Sequence, residues 1–280
     1  MSPRHGEVQR LRRLFSSRRF RREEKSFVIE GPELVVAALD AGWMIERAFT
    51  SPEIEHSAAS QRAAERIKSH GIALSELGAG VLERVADATT PQPIAAIVAM
   101  KETHPEAVLD GGVVVVLDNV RDPGNLGAVA RVAEASGCSG LVLSGNVTDP
   151  LGPKALRAST GSLLRVGVLE YANFEDARQA LADAKISLIG TSSHAGIDFG
   201  NQVWPERRGI VLGNEAQGLS DEAIAACSSL VSIPLAPPVE SLNVAVAAGI
   251  LCFAAQRGLR SSDVHAEGST MHGVKYEELS

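Results

Sequence analysis

The sequence predicts an α/β protein in which a small α/β domain precedes a larger domain built on a mostly parallel sheet. Apolar runs of strand length recur between residues 113 and 233, with helical stretches between several of them. Strands that are apolar throughout, rather than at alternate positions, are typical of a parallel sheet covered on both faces. A charged segment containing Pro105 precedes these runs, so we place a domain boundary there.

The N-terminal residues predict a basic arm followed by the small domain. Residues 1–25 hold nine of the 27 Lys and Arg and three of the 34 Asp and Glu, a net charge of +6 in a chain of −7. The other residues carry a net charge of −13, so we expect a polyanion to be bound by the arm rather than attracted by the whole protein. The alternative is that the arm is simply solvated. Within the domain, residues 26–100, we predict strands near 27–30, 45–50 and 93–100, and helices over 33–41 and 58–69.

The larger domain is predicted over residues 112–260, after a linker at 101–111. Its strands are expected at 113–117, 140–143, 166–169, 186–189, 210–212 and 230–233. An apolar helix over 242–257 ends the domain, and residues 261–280 are polar, which predicts a disordered tail.

Several classes of protein are disfavoured by what the sequence lacks. Cys138, Cys227 and Cys252 are far apart, and the seven histidines show no metal-ligand spacing, so we expect neither a disulfide framework nor a metal. No apolar run approaches the ~18–20 residues of a membrane span, which favours a cytoplasmic protein without membrane contact. A generic nucleotide-binding enzyme has little support, because no glycine-rich phosphate loop is present.

The first of three informative stretches is Asn125-Leu-Gly-Ala-Val-Ala-Arg131, which begins a helix after the strand at 113–117. A helix N-terminus presents free N–H groups, which suit an anionic or polar partner. At about 100° per residue, Arg131 lies roughly 140° from Leu126 and so faces away from the apolar stripe of the helix. By itself, such an arginine is most often simply solvated.

The other two stretches also follow strands. Leu212-Gly-Asn-Glu-Ala-Gln-Gly-Leu219 leads into a helix start, and Gly213 allows a close approach of backbone and ligand. Ile233-Pro-Leu-Ala-Pro-Pro-Val-Glu-Ser-Leu-Asn-Val244 leads into a helix of small residues. Taken singly, they predict a turn and a buried helix capped by Ser241.

In this order and spacing, the three stretches resemble the signature motifs of the SpoU/TrmH family of RNA ribose 2′-O-methyltransferases. That family uses S-adenosyl-L-methionine and belongs to the trefoil-knotted SPOUT class, so the resemblance implies a knotted catalytic domain and a homodimer. It implies catalytic or site-organising roles for Asn125, Arg131, Glu215, Ser241 and Asn243. It implies a cofactor site lined by Thr191, Leu212, Gly213, Ile233 and Leu242, and phosphate contacts from Lys154 and Arg157. One departure is Pro237, where the family commonly has glycine; with Pro238 it predicts a stiffer loop.

The resemblance extends to residues 26–100, which look like the RNA substrate-binding domain often fused to such enzymes. The expected reaction is methyl transfer to a ribose 2′-hydroxyl, in ribosomal RNA more than in transfer RNA, and much of the acceleration should come from positioning. Family accounts route proton removal through the arginine at position 131. Guanidinium stays protonated in proteins, so we favour a cation that binds phosphate and stabilises the developing alkoxide. A transfer RNA enzyme and a non-catalytic RNA-binding paralogue are the alternatives.

Overall fold

The computed structural model describes residues 5–86, 91–193, 195–214 and 216–266, which form two α/β units. The first is a four-stranded sheet of β1 (Ser26–Glu30), β2 (Ile45–Thr50), β3 (Leu74–Glu76) and β4 (Ile94–Ala99) in the order β1-β4-β2-β3. Only β2 and β3 are parallel. Its helices are α1 (Gly6–Ser16), α2 (Arg18–Glu24), α3 (Pro32–Asp40), α4 (Ala58–Ser69) and α5 (Val81–Val85).

Residues 6–24 differ from the predicted arm, because they fold as α1 and α2 onto the first sheet. The two helices bury the apolar side chains of Val8, Leu11, Leu14, Phe15 and Phe20. These side chains share a core cluster with Val28 and Phe49 of the sheet. The net charge gave no sign of this packing, since exposed arginines such as Arg12, Arg13 and Arg19 lie on the outer faces of helices whose inner faces are apolar.

The second unit is a seven-stranded parallel sheet, which confirms the predicted fold class. Its strands are β5 (Val113–Asp118), β6 (Gly140–Ser144), β7 (Gly167–Tyr171), β8 (Ser187–Thr191), β9 (Ile197–Asp198), β10 (Arg208–Leu212) and β11 (Ser229–Ser232), in the order β7-β6-β5-β10-β8-β11-β9. Its helices are α6 (Pro105–Leu109), α7 (Pro123–Ser136), α8 (Pro153–Ser159), α9 (Ser162–Arg165), α10 (Phe174–Asp183), α11 (Asp221–Ala226) and α12 (Val244–Ala266). The predicted strands of this domain lie within two residues of these bounds, whereas the trefoil knot stays a prediction.

Both faces of this sheet are covered, as its apolar strands predict. Val115 of β5 packs in one core cluster with α7, α8 and α12, and the adjacent Val116 packs in another with α6, α10 and α11. Helix α6 lies inside the predicted linker. An added Cβ at Gly140 or Gly167 would come within 2.8 Å or 2.6 Å of a methyl group of Val108, so these glycines let α6 approach the sheet.

The two units share one core. The cluster that contains Val115 also contains Phe27 of β1, and the indole Nε1 of Trp43 donates a hydrogen bond to the carbonyl of Leu164 at 2.7 Å. Helix α12 continues to Ala266, into the predicted tail; residues 267–280 lie outside the described residues. In the described part of the chain, no helix has the length and apolar character needed to cross a membrane.

Candidate active site

The carboxyl ends of β8, β10 and β11 open into a cleft of about 400 Å³. Because neighbouring parallel strands end at the same edge of a sheet, the loops that follow them converge there. The cleft is lined by all the residues predicted to hold the cofactor, Thr191, Leu212, Gly213, Ile233 and Leu242, together with Ser241. The second and third stretches therefore form one concave surface.

The loop after β10 folds back on itself at one wall of this cleft. A Cβ atom on Gly213 would lie 2.2 Å from the backbone of Gly218, so only glycine fits there. The side chain of Asn214 stabilises the turn, since its Oδ1 accepts hydrogen bonds from the N–H groups of Ala216 at 3.0 Å and Gln217 at 3.3 Å. Glu215, which follows Asn214 in the chain, lies outside the described residues, so its predicted role stays a prediction.

Asn243 joins the first stretch to the third. Its Nδ2 donates a hydrogen bond to Oδ1 of Asn125 at 2.8 Å, and its Oδ1 accepts one from the N–H of Ala245 at 2.9 Å. These contacts hold the start of α12 against the start of α7. Arg131 lies farther along α7 and is exposed.

The two predicted phosphate contacts have different surroundings. Lys154 is exposed on α8. Nη1 of Arg157 lies 3.0 Å from Oε2 of Glu30, whose side chain is 1% exposed, so this guanidinium forms an ion pair across the domain interface. Its interaction with RNA phosphate stays a prediction.

A buried carboxylate that the sequence reasoning missed links the strand before the first stretch to Ser220, which directly follows the second. Asp118, at the end of β5, is 1% exposed. Its Oδ1 accepts hydrogen bonds from Asn119 Nδ2 at 2.9 Å and Ser144 Oγ at 3.3 Å. Its Oδ2 accepts them from Ser220 Oγ at 2.8 Å and Ser220 N–H at 3.3 Å. The sequence did contain a signal for this residue, because Asp118 is the one polar residue at the end of an otherwise apolar strand.

Asn119 extends this network to the cofactor cleft. Its backbone is left-handed, with φ of 57°, and its carbonyl accepts a hydrogen bond from Nδ2 of Asn214 at 3.1 Å. Its Oδ1 accepts another from the N–H of Asn146 at 3.0 Å. The loops after β5, β6 and β10 are thus tied together beside the cleft.

The cysteines take no visible part in this site. Burial raises the pKa of the Cys227 thiol to about 11. A hydrogen bond between Cys138 and Cys252 lowers the pKa of Cys138 and, with burial, raises that of Cys252. No group of three or more possible metal ligands occurs among the described residues.

Comparison with known proteins gives two domain matches. Residues 112–253 match the SpoU rRNA Methylase family, and residues 6–96 match the MRM3-like substrate binding domain. The first match contains all three stretches. The second begins at residue 6, so it includes α1 and α2, in agreement with their packing on the first sheet.

Individual relatives are similar along nearly the whole chain. The 23S rRNA (guanosine(2553)-2′-O)-methyltransferase RlmP of Bacillus subtilis is 30% identical over 236 residues, 83% of this chain and 89% of the relative. An AdoMet-bound rRNA methyltransferase structure from Sinorhizobium meliloti has a TM-score of 0.77 at 31% identity, covering 91% of this chain and 95% of that one. The SpoU methyltransferase AviRb from Streptomyces viridochromogenes, in complex with AdoMet, has a TM-score of 0.80 at 25% identity, covering 92% and 100%. With its three motif stretches gathered at one edge of a parallel sheet, the chain belongs to the SpoU rRNA methylase family.

Proposed function

We propose that this protein transfers the methyl group of S-adenosyl-L-methionine to a ribose 2′-hydroxyl of ribosomal RNA. The observation that carries the proposal is the single cleft built from the second and third stretches, with the first tied to it by the hydrogen bond between Asn243 and Asn125. Relatives of this chain are 23S rRNA 2′-O-methyltransferases, which favours ribosomal RNA as the class of substrate.

The cleft fits the proposed cofactor in size and in chemistry. About 400 Å³ falls within the range of ~300–1,000 Å³ that is usual for small-molecule sites. Leu212, Ile233 and Leu242 offer apolar surface for an adenine ring, and the tight turn between Gly213 and Gly218 forms part of the wall of the cleft. When bound, S-adenosyl-L-methionine supplies the methyl group on a sulfonium centre, and these residues orient it.

Arg131 is our candidate for the catalytic cation. It projects from the same helix that begins beside Asn125, and its exposed side chain is accessible to RNA. We assign it to binding the phosphate next to the target ribose and to stabilising the developing alkoxide. Proton removal through this residue is the alternative role.

A homodimer and a cytoplasmic location belong to the same proposal. Val246 and Phe253, 51% and 50% exposed, lie on one face of α12, and this exposed apolar face supports the proposed subunit interface. The three cysteines are unpaired thiols, as is usual in a reducing compartment.

The proposal is tested with labelled S-adenosyl-L-methionine and RNA from a strain that lacks this protein. Label in the ribose of ribosomal RNA, mapped to one nucleotide, is the expected result. Label in transfer RNA alone would change the substrate class. If the protein binds S-adenosylhomocysteine and RNA but transfers no label to either RNA, it is a non-catalytic paralogue and the proposal is wrong.

A further inference from the structure

A second concavity lies on the same sheet edge as the cofactor cleft. It has a volume of about 270 Å³ and is formed at the carboxyl ends of β6 and β7. Since the strand order is β7-β6-β5-β10 and neighbouring strands are ~4.8 Å apart, roughly 14 Å separates β7 from β10 along this edge. The loop that leads to Asn125 lies between the two sites, because it follows β5.

The concavity is closed by α2 of the substrate-binding domain, which contributes Arg18 and Arg22. Arg18 donates from Nη1 to the carbonyl of Val147 and from Nη2 to Oε2 of Glu170, both at 3.0 Å. Nη2 of Arg22 contacts both carboxylate oxygens of Glu170, with 2.6 Å to Oε2. Two guanidinium groups facing one carboxylate leave a local charge of +1 within the lining formed by these side chains.

Both arginine side chains keep much of their surface accessible. Arg18 is 47% exposed and Arg22 is 45% exposed. Half-exposed ion pairs of this kind contribute only about 0–1 kcal/mol to stability. Attachment of the two domains is therefore a weak explanation for two arginines at this place. A guanidinium has five N–H donors in a planar fork that matches a phosphate group, and these side chains retain the exposure needed to meet one.

The concavity is connected to the catalytic loops. Asn146, which directly follows the lining residue Gly145, donates its N–H to Asn119, and Asn119 accepts from Asn214 in the cofactor cleft. The loops beside the cofactor cleft and the second concavity therefore meet at Asn119, on the sheet edge between the two sites.

We propose that Arg18 and Arg22 form a phosphate anchor, which binds the RNA backbone a few nucleotides from the methylated ribose. The inference rests on the proposed function, because it takes RNA as the substrate. It also narrows the role expected for the basic N-terminal residues. Two of them pair elsewhere: Arg10 forms ion pairs with Glu24 of α2 and Glu46 of β2, and Arg19 pairs with Glu23 within α2.

Arg22→Ala tests the anchor, with Arg19→Ala as its matched control on the same helix. The substrate is unmodified 23S ribosomal RNA transcribed in vitro. Loss of one phosphate contact should raise the KM for this RNA about five- to tenfold and flatten the log–log salt slope by about 0.7–0.9. Both variants should bind S-adenosylhomocysteine as the wild type does, and Arg19→Ala should leave KM unchanged, since its side chain is 88% exposed outside the concavity.

Glu170→Gln separates anchoring from domain docking. If the arginines bind phosphate, removing the competing carboxylate lowers the KM for RNA, opposite to the effect of Arg22→Ala. If they only dock the two domains, both substitutions lower the thermal stability and leave KM and the salt slope unchanged, which would overturn the anchor. Wild-type protein that methylates no RNA would refute the proposed function instead, and filter binding of the same transcript would still test the anchor.

Discussion

At the scale of single residues, the orientation of Arg131 follows directly from helix geometry. The predicted apolar stripe of α7 is buried, with Leu126, Val129, Ala130 and Ala133 all inaccessible to solvent, and Arg131 is exposed on another face. The periodicity thus predicted which way this guanidinium points. The catalytic role of Arg131 depends on which part of the substrate contacts that face of the helix.

We expect Arg131→Ala to abolish methylation while S-adenosylhomocysteine affinity stays within about twofold of wild type. The reason is its assignment to the RNA side of the site, where loss of a stabilising cation costs ~10²–10³ in rate. Label transfer to RNA and calorimetric titration measure the two quantities. Arg178→Ala, which removes a partly exposed arginine from α10, is the control. Activity within a few-fold of wild type would refute the role of Arg131.

Asp118 illustrates a buried residue that acts on the site through other residues. Asparagine keeps its shape but has only one acceptor oxygen, so either the Ser220 donors or the Asn119 and Ser144 donors would face an amide N–H group. We expect Asp118→Asn to weaken S-adenosylhomocysteine binding about tenfold, because unsatisfied buried donors cost about 1–3 kcal/mol and the loops shift to relieve them.

The control for Asp118→Asn is a second buried aspartate at the domain interface, Asp149. Asp149→Asn should reduce thermal stability and leave cofactor affinity unchanged, because its carboxylate pairs with Arg21 rather than with the cleft loops. Equal affinities for the wild type and both variants would contradict the positioning role of Asp118.

At the scale of elements, α7 is held to α9 by an ion pair. Nη2 of Arg165 donates to Oε2 of Glu134 at 3.0 Å, and this hydrogen bond lowers the pKa of the Glu134 carboxyl below its ordinary value of 4.5. A carboxyl whose pKa is lower in the folded state stabilises the fold fully above its unfolded pKa. That stabilisation is lost as the pH falls through the folded-state pKa.

We therefore expect Glu134→Gln to lower the free energy of unfolding at pH 7 by about 0.5 kcal/mol, since both side chains are more than a third exposed. The difference from wild type should disappear as the medium is acidified through the lowered pKa. Urea unfolding at several pH values measures it, and a difference that persists in acid would argue against the ion pair as its source.

At the scale of the whole molecule, a buried ion pair joins the two domains. Nη2 of Arg21 lies 2.6 Å from Oδ2 of Asp149, and both side chains are less than a tenth exposed. The same guanidinium donates to the carbonyl of Leu14, so α1, α2 and the loop after β6 meet there.

Arg21→Met should lower the free energy of unfolding by about 3–5 kcal/mol, because it leaves the carboxylate of Asp149 buried without its partner. Adding Asp149→Leu should recover much of that loss, since no charge is then buried. Arg19→Ala, which removes a fully exposed side chain, should leave stability close to that of the wild type. Chemical unfolding of the three variants provides the comparison, and a mild effect of Arg21→Met would mean that water reaches the pair.

The proposed homodimer has its own test. We expect sedimentation at micromolar concentration to show a dimer, and Phe253→Asp to convert it to a monomer by placing a charge on the apolar face of α12. A fully active wild-type monomer would refute the proposal.

The sequence alone determined the parts of this protein that depend on local pattern. Apolar runs predicted the parallel sheet because strands buried on both faces must be apolar throughout, and the three stretches with their spacing indicated the family. The tertiary structure determined which residues that are far apart in the chain contact one another. Asp118 and Ser220 are 102 positions apart and Arg21 and Asp149 are 128 apart. Such pairs leave no periodic signal, so the folding of the basic N-terminus, the ion pair of Arg157 with Glu30 and the network around Asp118 emerged only when the chain was folded.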